Sequence, residues 1–185
     1  PAQATTPNPT RAPASRELAT VHLQLEDPDG ALQVCDRGIK AMPDNVDLKL
    51  LKASIYERKN SYADAIAIYE ELLAKDDSMV LAANNLAALI ADHEREPARL
   101  QRALEVVRRF ETSDNPLFLD TVGWVYYRLG NFDQALVFLE RAARGASQVP
   151  QIHYHLGMAY FSTDQHDLAK RELQAAVDGK DKSFV

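Results

Sequence analysis

The histidines are the residues whose spacing most directly tests for a metal site. The chain has five of them. His153 and His155 lie two residues apart, and on a helix this spacing directs their side chains about 200° apart, so they cannot bind one ion. His22, His93 and His166 are scattered, and the sequence has neither an HExxH motif nor a pair of cysteines. We therefore predict no metal site and no cofactor, and we expect surface or packing roles for the histidines.

Other groups that could carry catalysis are also poorly placed. Asp76 and Asp77 form a carboxylate pair, but their place after an apolar helical pattern is typical of a solvated helix end. Cys35 is the single cysteine, and it stands where other units of the chain have a large apolar residue, which favours a small core residue over a nucleophile. The motifs GxGxxG, GxxxxGK[ST] and GxSxG do not occur in the sequence. We predict that these residues do not form an enzyme.

The charge balance argues against nucleic acid as a partner. The 185 residues include 21 basic and 27 acidic side chains, for a net charge of −6, and this surface repels polyanions on average. Between residues 94 and 111, five arginines alternate with four glutamates, which is typical of a solvated helix face. The longest apolar-looking run, residues 79–91, is too short to span a bilayer and contains Asn84 and Asn85. We predict no direct membrane insertion.

The first 14 residues differ in composition from the rest of the chain. They consist mainly of Pro, Ala, Thr and Ser and show no apolar periodicity. We predict a solvated, disordered linker over residues 1–14 and a folded array over residues 15–183. Such a linker suits a periplasmic tether, and a lone cysteine is compatible with either side of the membrane. We expect a periplasmic or envelope-associated protein, with the cytoplasm as the alternative.

Small residues recur along the chain with a step of 34 residues. Gly123 and Gly157 are one such pair, and the alanine twelve residues after each of them keeps the same step. Helical segments of about 12 to 15 residues are too short to be stable alone, so we predict that they pair as antiparallel hairpins. The small residues would let helix backbones approach closely, and stacked hairpins would form the core. Further pairs with this step are Ala135 and Ala169, Tyr126 and Tyr160, Leu139 and Leu173, Ala142 and Ala176, Ala53 and Ala87, and Ala31 and Ala65.

Turn residues divide the chain into five such units. Asp27 followed by Pro28 predicts a capped helix start, and Ser61 with a carboxylate three residues later resembles a capping box. Gly130 suits a left-handed turn between two helices, with Asn131 capping the second one. Pro97 predicts the start of the second helix in the third unit, which is longer before that helix. The predicted units are residues 12–45, 46–79, 80–115, 116–149 and 150–183.

Two features depart from a regular array. Lys49 and Lys52 fall where apolar residues are expected, so we predict that the helix carrying them is rotated or exposed there. The sequence also stops directly after the second helix of the fifth unit, without the polar-faced helix that caps many arrays. We predict that the protein continues beyond Val185 or that this end pairs with another molecule, including a second copy as a homo-oligomer.

The units resemble the tetratricopeptide repeat over nearly the whole chain. The resemblance implies an all-α fold, namely a right-handed α-solenoid of about five helix-turn-helix hairpins. The segment SDNPLFLDTVGWVYYRLGNFDQAL, residues 113–136, is also similar to repeat proteins of bacterial exopolysaccharide export and surface-protein sorting systems. The matching residues are Leu119, Val122, Gly123, Tyr126, Gly130, Ala135, Leu139 and Ala142 in the fourth unit and Leu156, Gly157, Tyr160, Ala169, Leu173 and Ala176 in the fifth, where His153 departs from the pattern.

The same resemblance implies a concave face lined by the first helix of each unit. In the fourth and fifth units this face carries five large residues that the packing of the repeat does not require. Patches of this kind mark interaction sites, and Trp, Tyr and Arg are enriched at binding hot spots. We predict that a peptide or helix of a partner protein binds here. The predicted groove residues are Asn84, Asp120, Trp124, Tyr127, Arg128, Tyr154, Met158 and Phe161.

One subclass of the family is disfavoured. Its chaperone-binding members hold a terminal carboxylate with lysine, asparagine and arginine side chains from three consecutive units. At the corresponding places this chain has Leu50, Ser54, Asn85, Leu117 and Thr121, of which only Asn85 fits.

These observations predict a non-enzymatic scaffold or adaptor, and the narrower resemblance suggests a bacterial envelope assembly for polysaccharide export or protein sorting. Two alternatives stay open. A structural oligomerisation module would bury the apolar groove against a second copy or another part of a longer chain. An accessory or regulatory domain of an enzyme would leave the chemistry to a neighbouring domain.

Overall fold

The computed structural model describes residues 11–179 of the chain. Within this range it contains ten α-helices and no strand, so the all-α class is confirmed. A short 3-10 turn, Arg108–Phe110, follows the sixth helix. The helices are α1 (Arg11–Gln24), α2 (Pro28–Ala41), α3 (Val46–Arg58), α4 (Tyr62–Lys75), α5 (Val80–His93), α6 (Pro97–Val107), α7 (Pro116–Arg128), α8 (Phe132–Gly145), α9 (Pro150–Ser162) and α10 (His166–Asp178).

The first helix begins earlier than we predicted from composition. Residues 11–14, which we assigned to the linker, form the first turn of α1. The rest of the predicted linker and residues 180–183 of the predicted array lie outside the described residues. Each hairpin of two helices, from α1–α2 to α9–α10, falls inside one predicted unit, except that α1 begins one residue early, at Arg11.

The chain forms two compact parts, each larger than a repeat unit, that divide between Ala82 and Ala83. In the N-terminal part, α1 packs on α2 and α3 packs on α4 as antiparallel hairpins. Its core includes Ala19, Ala31, Val34, Cys35 and Ile55. In the C-terminal part, the hairpins α7–α8 and α9–α10 pack against each other through α8 and α9. Its core includes Ala135, Leu139, Leu156, Ala159, Tyr160 and Ala169.

Close helix contacts explain the small residues that recur every 34 positions. A Cβ atom added to Gly123 would lie 2.6 Å from Leu139 Cγ, and one added to Gly157 would lie 2.7 Å from Leu173 Cγ. Both distances are shorter than real Cβ contacts. The glycines therefore let α7 approach α8, and α9 approach α10, as the sequence pattern predicts.

A left-handed residue ends the first helix of four hairpins. These residues are Glu26 (φ 56°), Asn60 (φ 58°), Gly130 (φ 79°) and Asp164 (φ 58°). After each of them, the next backbone N–H bonds to a carbonyl five residues earlier, as in Asn131 N to Tyr126 O at 2.9 Å. Gly130 was predicted to take this conformation, and the structure confirms it.

The predicted helix starts are confirmed in position but only partly in chemistry. Asp27 caps α2 through a 2.9 Å bond from Gly30 N to its Oδ1, with Pro28 as the first helical residue. Pro97 begins α6 as predicted. Ser61 and Asn131 occupy N-cap positions, but their side chains make no cap hydrogen bond. The capping box predicted at Ser61 is therefore wrong, because Asp64 N bonds to the Ser61 carbonyl oxygen at 3.1 Å and not to its hydroxyl. The side-chain cap predicted at Asn131 is wrong as well.

Lys49 corrects the prediction for α3. Its side chain is buried, and its Nζ lies 2.7 Å from Glu71 Oε1 on α4. Lys52 reaches Asp36 Oδ1 of α2 at 2.6 Å. The helix is therefore not turned outward at Lys49. Its lysines replace apolar contacts with ion pairs to the neighbouring helices, and the long aliphatic stem lets the charge reach the edge of the core.

Candidate functional site

Trp124 lies in the middle of α7, where it is 7% exposed. Its Nε1 donates a hydrogen bond of 2.7 Å to Oδ1 of Asp92, in the last turn of α5. A buried indole usually finds a partner for its N–H, and here the partner is an exposed carboxylate. The ring is therefore held in one orientation.

Aromatic rings gather around Trp124. The Tyr127 ring stacks on it with centroids 4.7 Å apart, and the His155 ring stacks on it at 4.1 Å. Tyr154 is tilted against Trp124 at 6.1 Å. We call Trp124, Tyr127, Tyr154 and His155 the aromatic cluster. Such ring pairs stabilise by about 0.5–1.5 kcal/mol beyond the area they bury.

Asp120 and His155 form a buried pair between α7 and α9. The Nδ1 atom of His155 lies 2.9 Å from Oδ1 and 3.0 Å from Oδ2 of Asp120. A carboxylate can only accept here, so Nδ1 carries the proton, and in the neutral ring Nε2 carries the lone pair. Among the described residues, no hydroxyl or thiol is hydrogen-bonded to this ring. The pair therefore orients His155 rather than activating a nucleophile.

Arg128 is fixed at the end of α7. Its guanidinium donates a 3.0 Å hydrogen bond to the carbonyl oxygen of Glu94 and lies 5.9 Å from the centre of a Trp124 ring. Arg128 therefore supports the orientation of Trp124, in addition to the role at the edge of the groove that the sequence suggested.

The structure changes the expected character of the predicted groove residues. Trp124 and Asp120 are buried rather than open to the groove, and the Trp124 ring packs against His155 of α9. Tyr154 and Phe161, both on α9, are 45% and 57% exposed, and Met158 between them is half-buried. The exposed part of the predicted patch is therefore carried by α9.

Asn84 stands apart from the aromatic cluster. Its Oδ1 is buried without a hydrogen-bond partner, and its Nδ2 lies 3.4 Å from Asn85 Oδ1. No hydrogen bond or ring contact among residues 11–179 joins it to the aromatic cluster. Contacts join five of the eight predicted residues, with Asp120 linked to the others through His155. Met158 and Phe161 share α9 with Tyr154, and Asn84 lies outside the cluster.

An open pocket of about 700 Å³ lies beside the aromatic cluster, and we call it the end pocket. Its lining combines polar and aromatic residues of α5 and α9 with apolar residues, most of them on α10. The polar and aromatic residues are Asp92, Gln151, Tyr154 and His155, and the apolar residues include Pro150, Leu173, Ala176 and Val177.

The apolar face of α10 extends into a second pocket of about 470 Å³. Phe161 and His166 lie on its rim, and Leu173 and Val177 belong to both pockets. Val177 is 79% exposed. The two pockets therefore share one apolar surface, which begins at the aromatic cluster and covers the outer face of the last hairpin.

A polar network holds α9 and α10 together on another face. His153 Nδ1 lies 2.7 Å from Glu172 Oε2, and His153 Nε2 lies 2.8 Å from the carbonyl oxygen of Ser147. Burial disfavours the charged imidazole, but these two acceptors outweigh it and raise the pKa of His153 above its ordinary value. Burial would raise the pKa of Glu172, but hydrogen bonds from His153 and Arg171 lower it. His153 is thus a structural bridge between the helices.

The remaining candidates for chemistry are structural in this fold. Cys35 is buried in the core of the first unit, as predicted, and desolvation followed by repulsion from Asp36 raises the pKa of its thiol to about 11. Residues 11–179 contain no group of three metal-ligating side chains. In the same range no helix combines the length and apolar character needed to cross a bilayer.

Sequence reasoning missed two side chains that contact Trp124. His155 was treated only as a possible metal ligand, although it lies 35 residues after Asp120, one repeat along the chain plus one position. Asp92 was not among the predicted groove residues. Its carboxylate lies near Trp124 only because α5 ends beside the middle of α7, which the sequence spacing does not reveal.

The fold consists of repeated helix hairpins, and the candidate site lies along the first helices of successive hairpins. This arrangement defines the class of helical-repeat proteins. Within this class the family is shown by sequence. The model of the tetratricopeptide repeat family matches residues 16–80 and 123–183, and the chain belongs to that family. Between these two ranges, residues 81–122 are unmatched, and they include all but the first residue of the third unit, whose length departs from the repeat.

One relative among characterised sequences is similar over part of the chain. The TPR repeat-containing protein PA4667 of Pseudomonas aeruginosa is 26% identical over 114 residues. This region is 60% of the present chain but only 19% of that relative. The chain therefore spans about a fifth of the length of the curated relative that it matches.

Solved structures share the fold. MamA of Desulfovibrio magneticus RS-1 is 13% identical, with a TM-score of 0.76 over 97% of this chain and 100% of that one. PilF of Pseudomonas aeruginosa is 15% identical, with a TM-score of 0.73 over 94% of this chain and 78% of that one. The thermophilic TPR protein TTC0263 of Thermus thermophilus is 21% identical, with a TM-score of 0.71 over 94% and 93%. At these identities the likeness concerns the fold alone. Tetratricopeptide proteins are generally interaction modules rather than enzymes, and this fold supports a scaffold that binds protein partners.

Proposed function

We propose that α7, α9 and α10 form the main partner-binding surface of a protein–protein interaction scaffold. The observation that carries the proposal is the pair of exposed aromatic side chains on α9, Tyr154 and Phe161, each on the rim of a pocket. The ligand is a peptide or a helix of another protein that inserts apolar side chains into these pockets.

The packing beneath the surface supports this proposal. Trp124 is fixed by Asp92, Arg128 and two stacked rings, so the floor under Tyr154 is rigid. A rigid floor lowers the entropy that binding removes. Exposed aromatic groups above a buried support are the arrangement typical of binding hot spots.

The alternative is self-association, and a separate observation favours it. The apolar face of α10 carries Leu173, Ala176 and the strongly exposed Val177. In repeat arrays such a face is usually covered by a further helix. A second copy of the chain that contributes its own α10 would cover it symmetrically.

The experiment that tests the proposal removes the exposed rings and leaves Trp124 in place. The variant Tyr154→Ala with Phe161→Ala is compared with the natural chain and with Val137→Ala, which truncates a half-exposed apolar residue on α8. Each protein is used as bait in a cross-linked pull-down from the cell envelope and the cytosol of the cells that make it, and retained proteins are identified by mass spectrometry.

We expect a partner that the natural chain and Val137→Ala retain and the α9 variant loses. Retention of every partner by the α9 variant, with unchanged circular dichroism, would show that the surface is not the binding site. If only the protein itself is retained, sedimentation velocity over a hundredfold concentration range decides for self-association when the mass rises with concentration.

We also propose that the scaffold works in a bacterial envelope assembly, such as one for polysaccharide export or surface-protein sorting, in the periplasm or at the envelope. The similarity of residues 113–136 to repeat proteins of such systems and the Pro/Ala/Thr-rich start of the chain support this proposal. Fractionation of the producing cells, followed by immunoblotting, checks it, and exclusive recovery from the cytosol would contradict it.

A further inference from the structure

We propose that the end pocket recognises a lysine or arginine side chain of the partner peptide. The inference rests on the proposed function, because it adds the chemistry of one side chain that the peptide presents to the same surface. It follows from the polar atoms of the pocket, from its charge and from the shape of its apolar side.

The polar groups of the end pocket are mainly hydrogen-bond acceptors. Asp92 is an exposed carboxylate, and its Oδ1 accepts from Trp124, which leaves Oδ2 for a ligand. His155 donates from Nδ1 to Asp120, so the ring nitrogen left for a ligand is Nε2, which carries a lone pair in the neutral ring. The Trp124 indole contacts both residues, since its Nε1 donates to Asp92 and its ring stacks on His155. A ligand that donates hydrogen bonds fits these two acceptors.

The charge of the pocket has one sign. Its lining among the described residues contains one carboxylate, Asp92, and no lysine or arginine. Arg128 is the cation next to Trp124, but it bonds to the carbonyl of Glu94 and does not line the pocket. An anionic ligand would therefore meet Asp92 without a counter-charge, whereas a cationic ligand would complete an ion pair.

The apolar side of the pocket suits the stem of the same side chain. Lysine and arginine carry three or four methylene groups below the charge, and Leu173, Ala176 and Val177 offer them an apolar wall. The half-exposed ring of Tyr154 can receive the cation over its face. A neutral apolar side chain would fill the wall but would desolvate Asp92 without pairing it, which costs free energy.

Trp124 provides the readout for the test. It is the single tryptophan of the chain, and it touches both acceptors of the pocket. The probes are peptide libraries of about nine residues with blocked ends, drawn from Ala, Leu and Ser and differing only at a fixed central residue. That residue is lysine, arginine, norleucine or glutamate, and norleucine copies the lysine stem without its charge. Binding is followed by tryptophan fluorescence of the full chain.

We expect the lysine and arginine libraries to bind at least about tenfold more tightly than the norleucine library, a difference of about 1.4 kcal/mol. The glutamate library should bind most weakly. Asp92→Asn keeps an oxygen that accepts from Trp124 Nε1 but removes the charge, so the preference for lysine over norleucine should fall to within about twofold. The matched control, Asp164→Asn, removes one charge from an exposed turn away from the pocket and should keep the full preference.

The outcomes separate the inference from the proposed function. If lysine and norleucine libraries bind equally, or if the glutamate library binds most tightly, the recognition of a cation is wrong and the peptide-binding surface stands. The inference also fails if Asp92→Asn retains the full preference for lysine. If no library binds at about 1 mM, both the inference and the proposed peptide-binding role are overturned.

Discussion

The indole nitrogen of Trp124 donates a 2.7 Å hydrogen bond to Oδ1 of Asp92, 32 residues earlier in the chain. This bond joins the end of α5 to the middle of α7. It fixes a buried ring beside the exposed Tyr154 of α9, whose ring centre lies 6.1 Å from that of Trp124. Trp124 therefore supports the proposed binding surface, and we expect a change in it to alter the fold before it alters any contact with a partner.

Trp124→Phe should lower the free energy of unfolding by about 1–3 kcal/mol, because the smaller ring leaves a cavity and the bond to Asp92 is lost. Urea unfolding followed by far-UV circular dichroism measures the change. Tyr154→Phe is the control. It removes only a hydroxyl on an exposed ring and should stay within about 0.5 kcal/mol of the natural chain. A Trp124→Phe protein as stable as this control would mean that the ring is not a structural support.

The aromatic residues show where sequence reasoning succeeded and where it stopped. The resemblance to the repeat family placed Trp124, Tyr127 and Tyr154 along neighbouring first helices, and the structure brings them together. The pattern could not show which ring is buried, because the burial of Trp124 depends on contacts with His155 and Arg128 that the repeat does not specify. The aromatic residues outside the repeat pattern thus include the buried Trp124 and the exposed Tyr154.

Asp120 and His155 should be energetically coupled, because they bond to each other in a site that excludes water. Removing either partner leaves the other buried without its hydrogen bond, which costs about 1–3 kcal/mol. A double-mutant cycle of Asp120→Ala and His155→Leu, measured by urea unfolding, should give a coupling of at least about 1 kcal/mol. The exposed pair Arg102 and Glu105 gives the comparison and should couple by no more than about 0.5 kcal/mol. Equal coupling in the two pairs would contradict the buried bond.

The bond between His153 and Glu172 should make the stability of α9–α10 depend on pH. The pKa of His153 is raised above its ordinary value of 6.5, so its contribution is complete below about pH 6.5 and is lost as pH rises through the raised pKa. The pKa of Glu172 is lowered from 4.5, so its contribution is present above about pH 4.5 and is lost as pH falls through the lowered pKa. The pair should therefore stabilise most between these two values.

The measurement is the difference in unfolding free energy between the natural chain and His153→Gln from pH 4 to pH 9. Contributions of the other side chains are common to both proteins and largely cancel in the difference. The difference should be largest near pH 5–6 and should shrink toward pH 9, and Glu172→Gln should flatten it. A difference that stays constant over the whole range would show that His153 acts by packing alone.

The thiol of Cys35 should be almost unreactive in the folded chain. Burial raises its pKa from 9.0 to about 11, and the thiolate is the reactive form. Two pKa units reduce the thiolate at pH 8 about a hundredfold, so a disulfide reagent such as Ellman's should react at least about a hundredfold more slowly than with the chain in urea. Because the chain has one cysteine, the absorbance change reports this site alone. Rapid reaction without denaturant would contradict its place in the core.

Cys35 and Lys49, in the first two repeat units, show a further limit of the repeat pattern. The sequence predicted Cys35 as a core residue correctly, because the position is defined by the repeat itself. It was wrong about Lys49, whose charge lies at the edge of the core beside Glu71. A charged residue at a core position either turns its helix outward or pairs with an opposite charge on the opposing helix. The spacing of the repeat does not show whether such a partner is present there.

Glu26 is the strained member of the four left-handed turn residues. Its φ of 56° is disfavoured for a side chain with a Cβ atom, by about 1–2 kcal/mol, whereas Gly130 adopts the same conformation freely. The Glu26 side chain is exposed, so its loss removes no packing. Glu26→Gly should therefore stabilise the first repeat unit by about 0.5–1 kcal/mol, a net figure that allows for the greater flexibility of glycine in the unfolded chain.

The reverse change, Gly130→Ala, should destabilise by a similar amount through the backbone alone, because no atom lies within 4 Å of the added Cβ. Thermal unfolding of both variants checks the pair. A loss of stability in Glu26→Gly would mean that the turn at Glu26 carries no backbone strain for glycine to relieve.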